Sequence, residues 1–303
     1  MNILIVCNPN SGHGDAFRFA TKLKKFIEKR ESCFAEIFLS KSIVALNEFF
    51  KELASEEKQR FDGIAILGGD GSFGVAVEAL IKNELDLPLA IFPLGTVNDF
   101  ARQVGMKKSA RFCAKVLLDG RVKKCDVARV NNEYAVNVAC GGYFTHGANT
   151  YSRVAKKLFG KMAYFGKAAF NVFNLHAQKM KFTVDGQSFE AEAVMYLVMN
   201  SASAGGFKHI GANAKIDDGL FDLCVIKKAR LGRLVRTAIK ILGGRHIPDR
   251  CIEYRQGKKF LIELVGENAN PNFVNSDIDG NVGSKLPLEI EVINKKLKIY
   301  YKD

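Results

Sequence analysis

The stretch AILGGDGSFG, residues 65–74, contains the residues that decide the fold. Its apolar half is typical of a buried strand, and the run FGVAVEALI, residues 73–81, is typical of a helix. Between them, Gly68, Gly69 and Gly71 allow the backbone to turn tightly with its N–H groups pointing inward. Since a helix N-terminus attracts negative charge, this strand–turn–helix unit predicts a bound anion, most simply a phosphate.

Asp70 is the informative residue of this turn. A carboxylate beside bound phosphates repels them unless it holds Mg²⁺ or orients a hydroxyl group. Ser72 supplies either a hydrogen bond to the phosphate or the N-cap of the helix. A plain strand-to-helix turn with a capping residue explains GGDGS equally well, so this short motif does not decide between the two interpretations.

Two further glycine turns follow predicted strands. FPLGTVNDFAR, residues 92–102, follows one apolar run, and NPNSGHG, residues 8–14, follows the first strand of the chain. In a parallel sheet all three turns lie at the carboxyl ends of strands, where such sheets bind ligands. Thr96, Asn98 and Asp99 add a hydroxyl, an amide and a carboxylate to this edge, although Asn98 or Asp99 also suits a helix cap.

The chain divides into two predicted domains. Strand and helix patterns alternate over residues 1–125, which predicts an α/β domain with a parallel sheet and helices on both faces. From residue 126 to about 290, short apolar runs separated by turn residues predict a β-rich domain. Asn131-Asn132 and Asp185-Gly186 are the clearest hairpin turns in this second part.

Composition restricts the class of protein. The net charge is +13, but no run of Lys or Arg exceeds two residues, so we expect no nucleic-acid partner. The seven cysteines form no CxxC pair and the five histidines lack the spacing of a zinc site, which predicts reduced thiols in a cytoplasmic protein. The segment MNILIVCNPN lacks a basic start, so it reads as a first strand and not as a signal peptide.

The three turns together resemble the diacylglycerol kinase catalytic domain. The resemblance rests on Asn8-Pro9 with Ser11-Gly12, on GGDGS at 68–72 and on PLGTVNDFAR at 93–102. GGF at 205–207 and AKIDDGLFDL at 214–223 look like the GG and DG motifs of the soluble bacterial lipid kinases related to sphingosine and ceramide kinases. Two helix-like segments, KLFGKMAYFGKA and LGRLVRTAIKILGGRH, also look like that family's, so the resemblance covers nearly the whole chain.

This resemblance implies an ATP- and Mg²⁺-dependent kinase that phosphorylates a lipid hydroxyl. The implied architecture is an α/β nucleotide-binding domain, which the C-terminal segment at about 291–303 rejoins, and a β-sandwich-like lipid-substrate domain, as in NAD kinase and diacylglycerol kinase folds. The positions it places at or beside ATP are Asn8, Ser40, Gly68, Gly69, Asp70, Gly71, Ser72, Phe73, Gly74, Thr96, Asn98 and Asp99. At Ser40 the segment FLSKSIVA departs from the family's Gly-His-Ala.

The resemblance also implies a structural Mg²⁺ near the DG motif. Its ligands are the carbonyl groups of Lys215 and Leu220 and the carboxylate of Asp218. A simple turn between two strands is the alternative interpretation of Asp218-Gly219.

The C-terminal motif departs from the family in one chemically important residue. The family carries Asp-Gly-Glu, whose glutamate is the proposed general base, whereas this chain has Asp279, Gly280 and Asn281. A neutral amide does not accept a proton as a carboxylate does. Three alternatives follow: Asp279, Asp277 or Asp70 substitutes as catalytic base, the enzyme is slow, or the protein only binds nucleotide and lipid. A small-molecule kinase of the phosphofructokinase or NAD kinase type is a further alternative, since GGDGS also resembles those enzymes.

A helix predicted at 229–244 has a basic face. Arg233, Arg236 and Lys240 lie largely opposite an apolar stripe formed by Leu231, Leu234, Val235, Ala238 and Leu242. An ordinary surface helix explains this pattern, and so does contact with anionic lipid headgroups at the inner membrane face. Four lysines of a second helix, predicted at about 151–177, would enlarge the face: Lys156, Lys157, Lys161 and Lys167. A homodimer is also among the expected assemblies.

Overall fold

The computed structural model describes residues 1–8, 15–56, 60–142, 177–266 and 271–302. Its residues form two compact units, one of Met1–Cys125 with Lys295–Asp303 and one of Asp126–Asn294. The predicted helix at about 151–177 lies, except for its last residue, outside the described residues. We call the two compact units the first and the second unit.

The first unit is built on a parallel sheet. Its strands are β1 (Asn2–Cys7), β2 (Phe34–Leu39), β3 (Gly63–Gly68) and β4 (Leu89–Pro93), paired in the order β2-β1-β3-β4. Its helices are α1 (Ala16–Ile27), α2 (Ile43–Ser55), α3 (Asp70–Lys82), α4 (Asp99–Gln103) and α5 (Ala110–Asp119). Helix α1 packs on α5 and α2 packs on α3, which confirms the predicted α/β architecture.

Burial explains why these sequences form a parallel sheet. Every residue of β3 is buried, as is every residue of β1 after Asn2, and strands covered on both faces require such continuous apolar runs. Helix α1 buries Ala16, Ala20, Leu23 and Ile27 along one face. Phe17, which the helical spacing also places on that stripe, is 52% exposed because it lies one residue round the helix from Ala16.

The second unit is antiparallel. Strand β5 (Val122–Val130) enters it, followed by β6 (Glu133–Ala135), β7 (Val138–Gly142), β8 (Gln178–Val184), β9 (Gln187–Met199), β10 (Phe221–Lys227), β11 (Ile252–Gly257), β12 (Lys259–Leu264), β13 (Asn275–Ile278), β14 (Asn281–Lys285) and β15 (Leu288–Tyr300). Helices α6 (Leu231–Leu242) and α7 (Pro271–Val274) interrupt the strands. The main pairing order is β14-β13-β7-β9-β8-β12-β15, and β10 pairs with β9 and β11.

Both predicted hairpin turns are confirmed. Asp185 and Gly186 join β8 to β9 with φ of 47° and 85°, and Asn131, with φ of 51°, begins the turn between β5 and β6. In the Asp185-Gly186 turn, positive φ at both central residues matches the twist of the flanking strands, and Asp, Asn and Gly tolerate positive φ best. Phe182, Tyr196 and Phe221 are among the large side chains that fill the apolar core of this unit.

All seven cysteines are buried and none forms a disulfide, which confirms that they are core thiols. Burial raises the pKa of Cys7 to about 11 and the pKa of Cys113 to about 12. These thiols therefore stay protonated at neutral pH. In the described part of the chain, no helix is both long and apolar enough to cross a membrane.

Asp222 on β10 makes the stability of the protein depend on pH. It is fully buried, and burial is the main reason that its pKa is raised from 3.8 to about 6. Tyr254 and Gln256 favour the charged carboxylate but do not offset this burial. Because the folded state binds this proton more tightly than the unfolded state, stability falls as pH rises from about 4 to about 6.

We expect Asp222→Asn to remove this loss of stability. Its free energy of unfolding, relative to the wild type, should increase by about 2.4 kcal/mol between pH 4 and pH 8, with about half of the increase above pH 5. Urea unfolding across this pH range measures the difference, with the exposed Asp119→Asn as a control. Parallel pH profiles for the wild type and Asp222→Asn would contradict the account.

Candidate functional site

The first glycine turn joins β3 directly to helix α3. Strand β3 ends at Gly68 and the helix begins at Asp70, with Gly69 as its N-cap residue. Gly69, and not Ser72, therefore occupies the capping position, and as a glycine it contributes no side-chain hydrogen bond to the helix. A helix N-terminus of this kind is suited to binding an anion through backbone N–H groups.

The second glycine turn packs against the first, backbone to backbone. A Cβ atom added to Gly95 would lie 2.5 Å from the Cα of Gly69 and 2.8 Å from Oδ1 of Asn98. A Cβ atom added to Gly69 would lie 3.1 Å from the Cα of Gly95. No side chain fits at Gly95 at such distances, so glycine is required by the approach of the two turns to each other.

Asn98 holds the second turn in shape. Its Oδ1 accepts a hydrogen bond from the Gly95 N–H at 2.9 Å, and its Nδ2 donates to the Gly95 carbonyl at 2.7 Å. Its backbone is left-handed, with φ of 56°. The side chain thus closes a four-residue loop instead of capping α4, and it leaves Thr96 exposed in that loop.

Asp70 connects the two turns. Its Oδ2 accepts the Asp99 N–H and its Oδ1 accepts the Phe100 N–H, each at 3.1 Å, so the carboxylate caps the start of helix α4. These two bonds use about half of the acceptor positions of a carboxylate, and the others remain able to face a cation. The structure therefore gives Asp70 a positioning role in addition to any role at a phosphate.

Asp99 has a different environment. It is 2% exposed, and Arg102 binds its Oδ1 through Nη1 at 3.0 Å while donating from Nη2 to the Val97 carbonyl at 2.8 Å. The Arg102 guanidinium group therefore links Asp99 to the backbone of the second glycine turn. Asp99 is buried in this arrangement, whereas Thr96 is exposed.

Of the remaining residues predicted to contact the nucleotide, some lie at the carboxyl edge of the sheet and others are buried. Asn8 follows β1, and the Ser40 N–H donates to the Cys7 carbonyl at 3.0 Å, so both lie at the carboxyl edge of the sheet. Phe73 is fully buried, stacks on Phe100 at 5.2 Å, and its N–H donates to the Gly69 carbonyl. Gly74 is also buried in α3. The predicted residues Pro9, Ser11 and Gly12 lie outside the described residues.

In the second unit, Asp279 organises a tight segment of backbone. It is 2% exposed, and its carboxylate accepts the N–H groups of Val136 at 2.7 Å, Asn137 at 2.9 Å and Val138 at 2.8 Å. Asp277 accepts the Gly280 N–H at 2.8 Å. All three carboxylates that the sequence offers in place of the family's glutamate, Asp70, Asp277 and Asp279, therefore bind backbone donors, while Asn281 begins the adjoining strand β14.

A buried network joins this segment to the DG motif. Asp126 is fully buried and accepts the Gly219 N–H at 2.6 Å. Asn200 donates from Nδ2 to the carbonyl groups of Asp126 and Val136, at 2.8 and 2.9 Å. Asp126 and Asn200 are not among the residues predicted from the sequence, although each is a polar residue beside an apolar strand run, a pattern that could have indicated them.

The loop at 215–220 contains the residues predicted to hold a structural Mg²⁺. Asp218 is exposed, and its Oδ1 accepts the Leu220 N–H at 3.1 Å. Together with the carbonyl groups of Lys215 and Leu220 it offers the oxygen donors that Mg²⁺ prefers, with water completing the coordination. Across the described ranges, no group of three or more His, Cys, Asp or Glu side chains has the arrangement of a metal site, so a cation here would have one charged ligand from these three residues.

Two family models match the chain. Residues 2–130 match the diacylglycerol kinase catalytic domain, and residues 137–301 match the YegS C-terminal NAD kinase beta sandwich-like domain. The chain is 31% identical over 288 residues to a diacylglycerol kinase of Bacillus subtilis strain 168, covering 94% of this chain and 91% of the relative. It is 26% identical to a diacylglycerol kinase of Staphylococcus aureus strain JH9, over 98% and 91% of the two chains.

Solved structures agree with these matches. The crystal structure of a diacylglycerol kinase from Bacillus anthracis strain Sterne superimposes with a TM-score of 0.78 at 28% identity, covering 99% of this chain and 96% of that chain. Another structure from the same organism gives a TM-score of 0.82 at 28% identity, over 99% and 95%. The chain therefore belongs to the diacylglycerol kinase family of lipid kinases, with an α/β catalytic domain and a β-sandwich-like C-terminal domain.

Proposed function

We propose that this protein transfers the γ-phosphoryl group of ATP to a hydroxyl group of diacylglycerol or a related lipid. The observation that carries the proposal is the packing of the Gly69 turn against the Gly95 turn. It sets the amino end of helix α3 beside the loop that exposes Thr96. Family membership supports the reaction class, and this geometry supports a binding site for the nucleotide phosphates at the start of α3.

The residues of the first unit bind and orient in this proposal. Backbone N–H groups at the start of α3 donate to phosphate oxygens, and the helix dipole adds a favourable field. Asp70, held by the N–H groups of Asp99 and Phe100, would hold the Mg²⁺ that accompanies the nucleotide. That ion neutralises phosphate charge when it is bound. Lys215, Asp218 and Leu220 would hold a structural Mg²⁺ in the second unit.

In the proposed reaction, the residue expected to remove the proton from the lipid hydroxyl is not a base in this chain. Asn281 has no basic oxygen, and the carboxylates of Asp277 and Asp279 bind backbone N–H groups. A positioned general base contributes about 10²–10⁴-fold to a rate. Because phosphoryl transfer depends mainly on positioning and charge neutralisation, we infer a kinase that is slow and not inactive. A protein that only binds nucleotide and lipid is the second candidate, and Asn281 is the residue that favours it.

A single-turnover assay with γ-labelled ATP and a panel of acceptors tests the proposal. We expect label in diacylglycerol or a related glycerolipid, and none in fructose 6-phosphate or NAD⁺, because the chain matches a lipid kinase family over both units. Tight ATP binding without transfer to any lipid would favour the binding protein. Transfer to fructose 6-phosphate or NAD⁺ would contradict the lipid assignment.

Restoring the carboxylate should accelerate the reaction. We expect Asn281→Glu to raise kcat for the lipid substrate by about 10²–10⁴-fold, since Glu supplies the missing proton acceptor. Asn281→Gln is the matched control, because it lengthens the side chain without adding a base. Equal rates for the wild type and both variants would show that position 281 does not take part in proton removal.

Because the two turns touch at Gly95, a side chain at this position should weaken nucleotide binding. We expect Gly95→Ala to weaken ATP binding at least tenfold, because the new methyl group would lie 2.5 Å from the Gly69 Cα and force the turns apart. Isothermal titration calorimetry measures the Kd, and circular dichroism checks the fold. Gly232→Ala is the control, since a Cβ there meets nothing within 4 Å. An unchanged Kd in folded Gly95→Ala would contradict the proposed phosphate site.

A further inference from the structure

Helix α6 of the second unit has two apolar faces, and the described residues of the unit pack against only one of them. Thr237 and Ile241 are buried, and Ile241 packs in a core cluster with Cys224 and Ile252. On the other apolar face, Val235 is 49% exposed, Ile239 is 63% exposed and Leu242 is 60% exposed. These three residues are spaced i, i+4 and i+7, so they form one continuous stripe, which we call the α6 stripe.

The sequence pattern alone did not distinguish these two faces of the helix. It placed Val235 and Leu242 on the same stripe as Leu231 and Leu234, whereas the structure leaves Val235 and Leu242 exposed and half-buries the other two. Exposed aliphatic residues in a contiguous stripe typically mark an interaction surface.

The charged residues of helix α6 itself are all basic. Arg233 and Arg236 are exposed, and Arg236 is the i−3 neighbour of Ile239. Neither arginine forms an ion pair within the described ranges. Lys240, which the sequence pattern assigns to the same basic face, binds Asp249 at 2.5 Å and is thereby partly neutralised. No acidic residue occurs between Lys228 and Pro248.

This combination favours an anionic lipid surface over a second copy of the chain. Two copies meeting at the α6 stripe would bring their arginines together, and like charges repel. Three side chains also cover far less than the roughly 1,000 Å² that a stable protein interface buries. A bilayer interface instead accepts aliphatic side chains at the acyl boundary, and arginine reaches from there to lipid phosphates.

We propose that helix α6 docks the second unit on membranes that contain anionic phospholipid, with the α6 stripe inserted and Arg233 and Arg236 at the headgroups. The inference rests on the proposed function, since a diacylglycerol substrate resides in a membrane. It does not depend on Lys156, Lys157, Lys161 and Lys167, which lie outside the described residues.

Vesicle flotation without nucleotide tests this proposal independently of catalysis. The wild type is mixed with vesicles of phosphatidylcholine alone or of phosphatidylcholine with 30% phosphatidylglycerol, and the bound fraction is measured at low and high salt. We expect binding to the anionic vesicles, weaker binding in high salt, and little binding to the neutral vesicles. Absence of binding, or equal binding to both vesicles, would overturn the proposal.

Two sets of variants assign the binding to α6. Val235→Gln, Ile239→Gln and Leu242→Gln together remove the stripe but keep helix propensity, and Ile43→Gln with Val44→Gln in α2 is the matched control for exposed apolar residues. Arg233→Gln with Arg236→Gln removes the charges, and Lys22→Gln with Lys25→Gln in α1 is its control. We expect at least a tenfold loss of binding from the stripe variant and about fivefold per arginine. Control variants that lose as much binding would overturn the assignment.

Two further measurements separate this proposal from its alternatives. With a water-soluble short-chain diacylglycerol, the stripe variant should keep the rate of the wild type, whereas with vesicle-embedded diacylglycerol it should be slower. If the wild type phosphorylates neither, the proposed function fails, while flotation still decides whether α6 binds lipid. A lipid-free dimer in sedimentation that the stripe variant abolishes would assign the α6 stripe to self-association and overturn the proposal.

Discussion

The candidate site of the first unit depends on the close approach of two backbone segments. Gly69 and Gly95 lie so near to each other that a methyl group on Gly95 would reach the Cα of its neighbour. This contact brings the end of β3 and the end of β4, which are adjacent in the parallel sheet, to a shared edge. Asp70 then binds the start of α4 and Asn98 closes its own turn, so the edge is fixed before any ligand binds. Such preorganisation suits a reaction in which positioning supplies most of the catalysis.

In the second unit, buried side chains fix the backbone in the same way. Asp279 binds three successive N–H groups, and Asp126 and Asn200 hold the DG loop to the same segment. These two carboxylates hold backbone N–H groups in place, so their observed role is to fix the fold of this segment.

The sequence was sufficient to predict the architecture but not the contacts within the site. Continuous apolar strands, glycine turns and Asp-Gly or Asn hairpins depend on local physics, and they predicted both folds and both hairpins. The roles of Asp70 and Asp279 depend on partners 29 and more than 140 residues away, which spacing along the chain does not reveal. The faces of α6 were likewise merged by periodicity, because a helical wheel does not show which side the rest of the unit covers.

The central claim, that the two packed turns form a nucleotide phosphate site, is tested most directly by a crystal structure with Mg²⁺ and a non-hydrolysable ATP analogue. The account predicts phosphate oxygens within about 3 Å of backbone N–H groups in the Gly69–Ser72 turn, with the Gly69–Gly95 contact unchanged. A triphosphate bound away from both turns, or turns that separate to admit it, would contradict the claim.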